Sequence, residues 1–335
     1  MFAAIAGKMI AAAVAISTCS AVAAQPVFKS AAHSAQADYP VKSIRLIAPF
    51  APGGGASTIA RMIGPALTET WGQSVVVDNR PGAGGSIGTE LAARSPADGY
   101  TLLMATASTI VINPLVGKVP FDPVRDFTPV VHTATVPLVL VVHPSVPARS
   151  VKDLLAHAAG GRLNYASSGE GTTSHLAAEL FKTLGNVPMA HVPYKGGGQA
   201  IIDLMAGHVQ TGFVNILEAL PQVNAGRLRA LAVSTPKRSP VASGIPTVAE
   251  AGIAGYEVIQ WSGVLGPAGM PSAITARLNQ QIVQILNRPD MRNRLIDSGA
   301  EPGGGTPEHF GALIKSEIGK WSKVVKAVKL DMFAR

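Results

Sequence analysis

KSIRLIAPFAPGGGASTIAR, from Lys42 to Arg61, carries the unit on which the rest of the chain is patterned. Ile44, Leu46 and Ile47 make a short apolar run that stops at Pro49. A glycine triplet, Gly53, Gly54 and Gly55, follows, and from Ser57 apolar residues recur at helical spacing through Ala60, Met62, Ile63, Ala66 and Leu67. This order predicts a strand, a loop of bare backbone and a helix. Glycines let a ligand come close to the main chain, and the unpaired amides of a helix start, at the positive end of its dipole, favour an anion. A plain βα turn with no ligand would have the same letters.

The same device recurs downstream. Ser74 to Val77 reads as a strand ending in the turn cluster Asp78-Asn79-Arg80-Pro81-Gly82, with Gly84, Gly85 and Gly88 ahead of a helix. Tyr100 to Ala105 delivers Thr106 and Ser108 to a helix start. Val119 to Phe127 reads as a loop, and Val136 to Val142 as one strand buried on both faces. Leu163 to Ala166 leads into Ser168-Gly169-Glu170-Gly171-Thr172-Thr173 and a helix through His175 and Leu180. Met189 to Val192 leads into Tyr194-Lys195-Gly196-Gly197-Gly198 and a helix carrying Asp203. Val209 to Asn215, Leu228 to Val233 and Tyr256 to Leu265 complete the strands, and helical periodicity takes over from Ile274 to Trp321. Alternating strands and helices define an α/β protein with mainly parallel sheets. The apolar runs at Val136 to Val142 and Tyr256 to Leu265 bracket a middle section. The expected division is domain 1 over 39–140 and 260–335 and domain 2 over 141–259, facing each other across a cleft.

At 335 residues the chain suffices for two such domains, and with 5% aromatic and 14% charged residues it is globular in composition. Its net charge of +8 is scattered, apart from lysines 315, 320, 323, 326 and 329, which read as a solvated helix face, not a nucleic-acid surface. Lys8, the apolar run from Met9 to Ile16 and the small residues to Ala24 predict a signal peptide over 1–24, cleaved near Ala23 or Ala24. A leader follows over 25–38, and the compartment expected is the bacterial periplasm. The one cysteine, Cys19, falls inside the signal peptide, so no disulfide is expected.

Three short patterns compete with a binding role. Gly84-Gly85-Ser86-Ile87-Gly88 matches the G-x-S-x-G elbow of serine hydrolases, but Asp78 to Ala83 separates Ser86 from its strand. Gly82-Ala83-Gly84 with Gly88 lacks the acidic residue a dinucleotide loop needs after the next strand, and there is no phosphate-binding P-loop pattern. His175 and Glu179 share a helix face without further ligands to complete a metal site. No cofactor and no metal are therefore expected. What repeats is Gly, Ser and Thr at helix starts, a chemistry suited to carboxylates.

Tyr39-Pro40, Pro52 to Gly55 with Ala60-Arg61, Val77-Asp78-Asn79-Arg80-Pro81-Gly82-Ala83-Gly84-Gly85, Asp98-Gly99-Tyr100, Asn164-Tyr165-Ala166-Ser167 with Gly169 to His175, and Val192-Pro193-Tyr194-Lys195-Gly196 together resemble the Bug family. These are the periplasmic solute-binding components of tripartite tricarboxylate transporters, and the match runs unbroken from about Tyr39 to about Leu330. The resemblance implies a two-domain Venus flytrap of the type II-like kind, a monomer, that closes on a small carboxylate and hands it to a membrane permease. It also implies ligand contacts at Gly54, Gly55, Ala56 and Ser57 on one jaw and Ser168, Gly169, Thr172 and Thr173 on the other. Thr106 and Ser108 would close one wall, and His175, Gly196 and Asp203 would support the other. Family members often carry Asp where this chain has Ser57, which points to an organic mono- or dicarboxylate without an amino group. The alternatives are a soluble sensor that presents its liganded form to a membrane receptor such as a sensor kinase, and an exported hydrolase using Ser86 or Ser168.

Overall fold

The computed structural model describes residues 38–161 and 163–327. The expected signal peptide with Cys19, the leader up to residue 37 and Lys329 lie outside the described residues. The strands are β1 Ile44–Ala48, β2 Val75–Asn79, β3 Thr101–Thr106, β4 Phe127–Val136, β5 Leu138–Val142, β6 Asn164–Ser167, β7 Ala190–Pro193, β8 Thr211–Asn215, β9 Arg229–Val233, β10 Gln260–Pro267 and β11 Glu301–Gly304. The α-helices are α1 Gly55–Trp71, α2 Ser86–Ala93, α3 Asn113–Val116, α4 Val151–Gly160, α5 Thr173–Gly185, α6 Gly197–Met205, α7 Ile216–Asn224, α8 Ser272–Asn287, α9 Pro289–Asp297 and α10 Pro307–Ala327.

The opening unit folds as its letters require. β1 is buried along nearly its whole length, and α1 hides Ile59, Ala60, Met62, Ile63, Ala66 and Leu67, the predicted apolar stripe. It ends at Gly72, whose left-handed φ of 67° lets its N–H return to the Thr68 carbonyl at 2.9 Å.

The strands form two sheets, ordered β11-β4-β10-β3-β1-β2 and β7-β6-β8-β5-β9. β1 runs parallel to β2 and β3, and β6 runs parallel to β7 and β8, as strand–helix–strand crossovers dictate. The α/β class holds, but both sheets are mixed. β10 is antiparallel to β3 and β4, β11 to β4, and β5 to β8 and β9. The antiparallel strands are those by which the chain passes from one sheet to the other or closes an edge.

The single strand read over Val136 to Val142 is two. β4 ends at Val136 in the first sheet and β5 begins at Leu138 in the second, with Pro137 between them. Proline has no N–H to donate to a ladder, so pairing breaks there. Its carbonyl is used, accepting from Ile216 N at 3.0 Å. Sequence reading also missed most of β4, the short edge strand β11 and helix α7. Pro129 and the polar residues of β4 weaken its β signal, and β11, Glu-Pro-Gly-Gly, has none.

The helical tail returns to the first sheet. Phe310 and Trp321 of α10 are buried, and the Phe310 ring meets Trp261 of β10 edge-on at 5.4 Å. No helix among the described residues is long and apolar enough to cross a membrane.

Candidate functional site

The loops at the carboxyl ends of β1 and β3 in the first sheet meet those of β6, β7 and β8 in the second. Contact between them is close because glycines face main chain. A Cβ added to Gly198 would stand 2.6 Å from the Pro52 carbonyl oxygen, and one at Gly196 would stand 3.1 Å from Ala51 N. Ala51 N donates to the Lys195 carbonyl at 3.2 Å. Further along the cleft, a Cβ at Gly84 would come within 2.4 Å of the Glu170 carbonyl oxygen.

Between these contacts lies an inner cavity of about 30 Å³, walled by Gly54, Gly55, Ala56, Thr106, Ser108, Ser168, Ser174, Gly197, Asn215, Glu218 and Gln260 among others. An outer cleft of about 960 Å³ adjoins it along Phe50 and Ser168 and runs to Lys118 and Lys195. The inner cavity has room for about one or two waters. The inner cavity is too small for a molecule of several carbon atoms while the two sets of loops meet as they do here.

Six of the residues anticipated from sequence line the inner cavity: Gly54, Gly55, Ala56, Thr106, Ser108 and Ser168. Gly169 lines the outer cleft. The others act behind the wall. Thr172 caps α5, its hydroxyl accepting from His175 N at 3.4 Å and donating to the Gly169 carbonyl at 2.7 Å. Thr173 joins the two sets of loops. Its hydroxyl lies 2.9 Å from the Ser108 hydroxyl, and its N–H donates to the same Ser108 oxygen at 2.9 Å, all buried. Replacing Ser108 with alanine is expected to weaken ligand binding roughly tenfold in calorimetry, because it leaves the Thr173 N–H unpaired in the closed form at a cost of about 1–3 kcal/mol.

Ser57 is turned away from the cavity. It is fully buried, and its hydroxyl accepts from Asn79 Nδ2 at 3.1 Å while the same nitrogen donates to the Phe50 carbonyl at 2.8 Å. Ser57 is not among the residues that wall the inner cavity. Asp203 is likewise off the cavity wall. It accepts the Tyr194 hydroxyl at 2.7 Å and so holds the loop that carries Gly196.

His175 sits beneath the second jaw, its Nδ1 accepting from Gly171 N at 3.3 Å and its ring stacked on His191 at 3.8 Å. Burial, then His191 and Lys182, pushes it down to about 3, so it is neutral in the physiological range and does not ion-pair with Glu179. Among the described residues no group of three or more His, Cys, Asp or Glu could hold a metal ion.

The serines of the hydrolase reading are tied up. Ser86 Oγ accepts from Asn113 Nδ2 at 2.8 Å, and Ser168 Oγ pairs with the Ser174 hydroxyl at 2.8 Å. Ser167 does lie 2.6 Å from His191 Nε2, but it is buried and its oxygen also accepts the Gly169 N–H at 3.1 Å, closing a turn.

The residue that sequence reading missed is Glu218, in the first turn of α7. It is 8% exposed, and its Oε1 accepts from Gly55 N at 2.7 Å, across the cavity from its own sheet. A carboxyl group thus occupies the start of α1, and it comes from the other side of the cleft. Burial pushes it up to about 8, against the opposing pull of the Gly55 N–H. The signal that could have found it is an acidic residue three positions after a strand that ends in Asn215, since Asn at a strand end and Glu in the next turn mark a helix start. The Asn215 side chain does accept from Leu217 N at 3.4 Å.

Two mixed sheets whose loops close over one cavity define a solute-binding protein of the periplasmic type. The chain belongs to the tripartite tricarboxylate transporter family of receptors, whose profile matches residues 59–330. It is 36% identical over 292 residues to Protein BugT of Bordetella pertussis, covering 86% of this chain and 90% of that one. Among solved structures it is similar to Rpa4515 of R. palustris with adipate (40% identity, TM-score 0.85, 87% of this chain and 98% of the other). It is also similar to MatC of Rhodopseudomonas palustris with bound malate (31% identity, TM-score 0.81, 86% and 100%).

Proposed function

We propose that this chain is a periplasmic receptor that captures a small organic carboxylate between two jaws and delivers it to the membrane permease of a tripartite transporter. The jaws are residues 39–136 with those from 260 onward, and residues 138–259, the expected boundary at 140 moving to Pro137 because β5 belongs to the second sheet; the segment over 1–24 directs export. The observation that carries this reading is the cavity itself. It is a space between two sheets, walled by Gly54, Gly55 and Ala56 at the start of α1 and by hydroxyl-bearing residues from both sides, and bridged by Ser108 and Thr173. Relatives solved with adipate and malate support a carboxylate as cargo. The binding contacts proposed are Gly54, Gly55, Ala56, Thr106, Ser108 and Ser168. Gly169, Thr172 and Thr173 shape the second jaw, and His175, Gly196 and Asp203 hold its loops.

Binding shifts an equilibrium between open and closed forms by the ligand's preference for the closed one. No catalytic step is required, and the pairing of Ser86 and Ser168 into neutral hydrogen bonds supports a binding role over a hydrolytic one. Thermal unfolding with a panel of adipate, malate, succinate, citrate and an amino acid tests it. A dicarboxylate at a hundredfold excess over its Kd should stabilise the protein by about 2.7 kcal/mol. Ester turnover abolished by Ser168→Ala, with no carboxylate giving a shift, would replace this reading with the hydrolase.

A further inference from the structure

Among the described residues that line the inner cavity, Glu218 alone has a side chain that can carry a charge near neutral pH. A receptor for an anion would be expected to place a cation there, yet the wall holds a carboxyl group. Its seating is tight and specific. Oε1 accepts from Gly55 N at 2.7 Å, whereas Oε2 is buried with no hydrogen-bond partner among the described residues. Gly197 makes room for it, since a Cβ there would lie 2.2 Å from Oε2 and 2.7 Å from Oε1. The groups against it, Gly54 and Gly55 at the start of α1 and Gly197 at the start of α6, bring no compensating charge, and neither do Asn215 of β8 and Gln260 of β10, which line the same cavity. No charged side chain contributes to its titration, which is set by burial and by the Gly55 amide.

Two carboxylates sharing a buried space without a cation repel strongly, and such pairs keep a proton between them. Resting on the receptor reading above, we propose that Glu218 is the specificity-determining residue of the cavity. It enters the liganded state as a neutral acid, with Oε1 held on the Gly55 amide and Oε2–H donated to a carboxylate oxygen of the ligand, so that the protein takes up one carboxylate together with one proton. The proton comes from solvent and no covalent bond changes. The donor that a cationic side chain would supply is supplied by the acid, and its geometry selects ligands that present an acceptor oxygen, not an ammonium, beside the start of α1.

Calorimetry of the purified protein with adipate, at about pH 9 in two buffers of different ionisation enthalpy, reads the proton directly, and uptake approaching one per adipate is expected. Above about pH 8 the adipate Kd should rise about tenfold per pH unit in the wild type and stay level in Glu218→Gln, whose amide keeps a donor without a charge. A ligand-free readout accompanies it. Because the folded-state value of Glu218 is raised, its stabilising contribution is complete below the ordinary glutamate value and is lost as pH rises to about 8. Glu218→Gln should therefore melt higher than wild type above that pH, with the gap closing towards acid. Adipate or malate binding with no proton exchanged, or with one released, overturns the proposal and leaves the receptor reading intact. So does a Glu218→Gln affinity that follows the wild-type pH course. If neither ligand binds at any pH, both readings fall.

Discussion

Gly198→Ala is expected to lower ligand affinity by up to about a hundredfold without destabilising the unliganded protein, because overpacking a tight contact costs about 1–3 kcal/mol and that contact exists in the closed form. The Cβ would stand 2.6 Å from the Pro52 carbonyl oxygen and 3.1 Å and 3.3 Å from the Gly53 carbonyl carbon and Cα. These are main-chain atoms of the opposite jaw, so no side chain can swing aside. Within its own helix the change is favourable, since glycine in a helix costs about 0.5–1 kcal/mol relative to alanine. The two effects have opposite signs in the two conformations. Calorimetry should show the loss of affinity, thermal unfolding without ligand should show an unchanged or slightly raised midpoint, and small-angle scattering should show a more open average shape. Gly319→Ala, on α10 with nothing within 4 Å of the added Cβ, is the matched control and should leave affinity unchanged. A Gly198→Ala protein that binds as wild type would mean that the jaws do not approach at this point when ligand is held.

Phe310→Ala is expected to cost about 3–5 kcal/mol, lowering the thermal midpoint by about 10 °C, because it empties the place where α10 is keyed to the first sheet. The ring is fully buried, meets Trp261 at 5.4 Å with planes at 89°, and covers Gly263 so closely that a Cβ there would lie 2.2 Å from it. The glycine and the phenylalanine form one fitted pair. Gly263→Ala should therefore destabilise the wild type more than it destabilises Phe310→Ala, a coupling that a double-mutant cycle measures. Additive losses would show that the ring does not bear on Gly263. Phe310 is not among the residues that wall the inner cavity, so Phe310→Ala should retain ligand affinity at temperatures where it remains folded.

The strand–loop–helix units were legible because each depends on neighbours in sequence. The glycine triplet before α1, the Thr172 cap of α5 and the apolar stripes of α1, α8 and α10 form through local backbone geometry and periodicity. Those units place the hydroxyls and amides, so six of the cavity-lining residues could be named in advance. β4 and β11 were hidden because they are stabilised by partners far along the chain. β4 pairs with β10, more than a hundred residues away, and its own letters are too polar to announce a strand.

Sequence alone determined the class of fold, the family and the glycine loop that opens α1, since each is written in short-range pattern. Only the tertiary structure decided what stands against that loop. Ser57, whose lack of charge was read as the telling feature, faces Asn79, while Glu218, 163 positions from Gly55, reaches across the cleft to the Gly55 N–H. The electrostatics of a closed cavity are set by which groups are desolvated together, and that depends on how two sheets meet and not on any one stretch of chain.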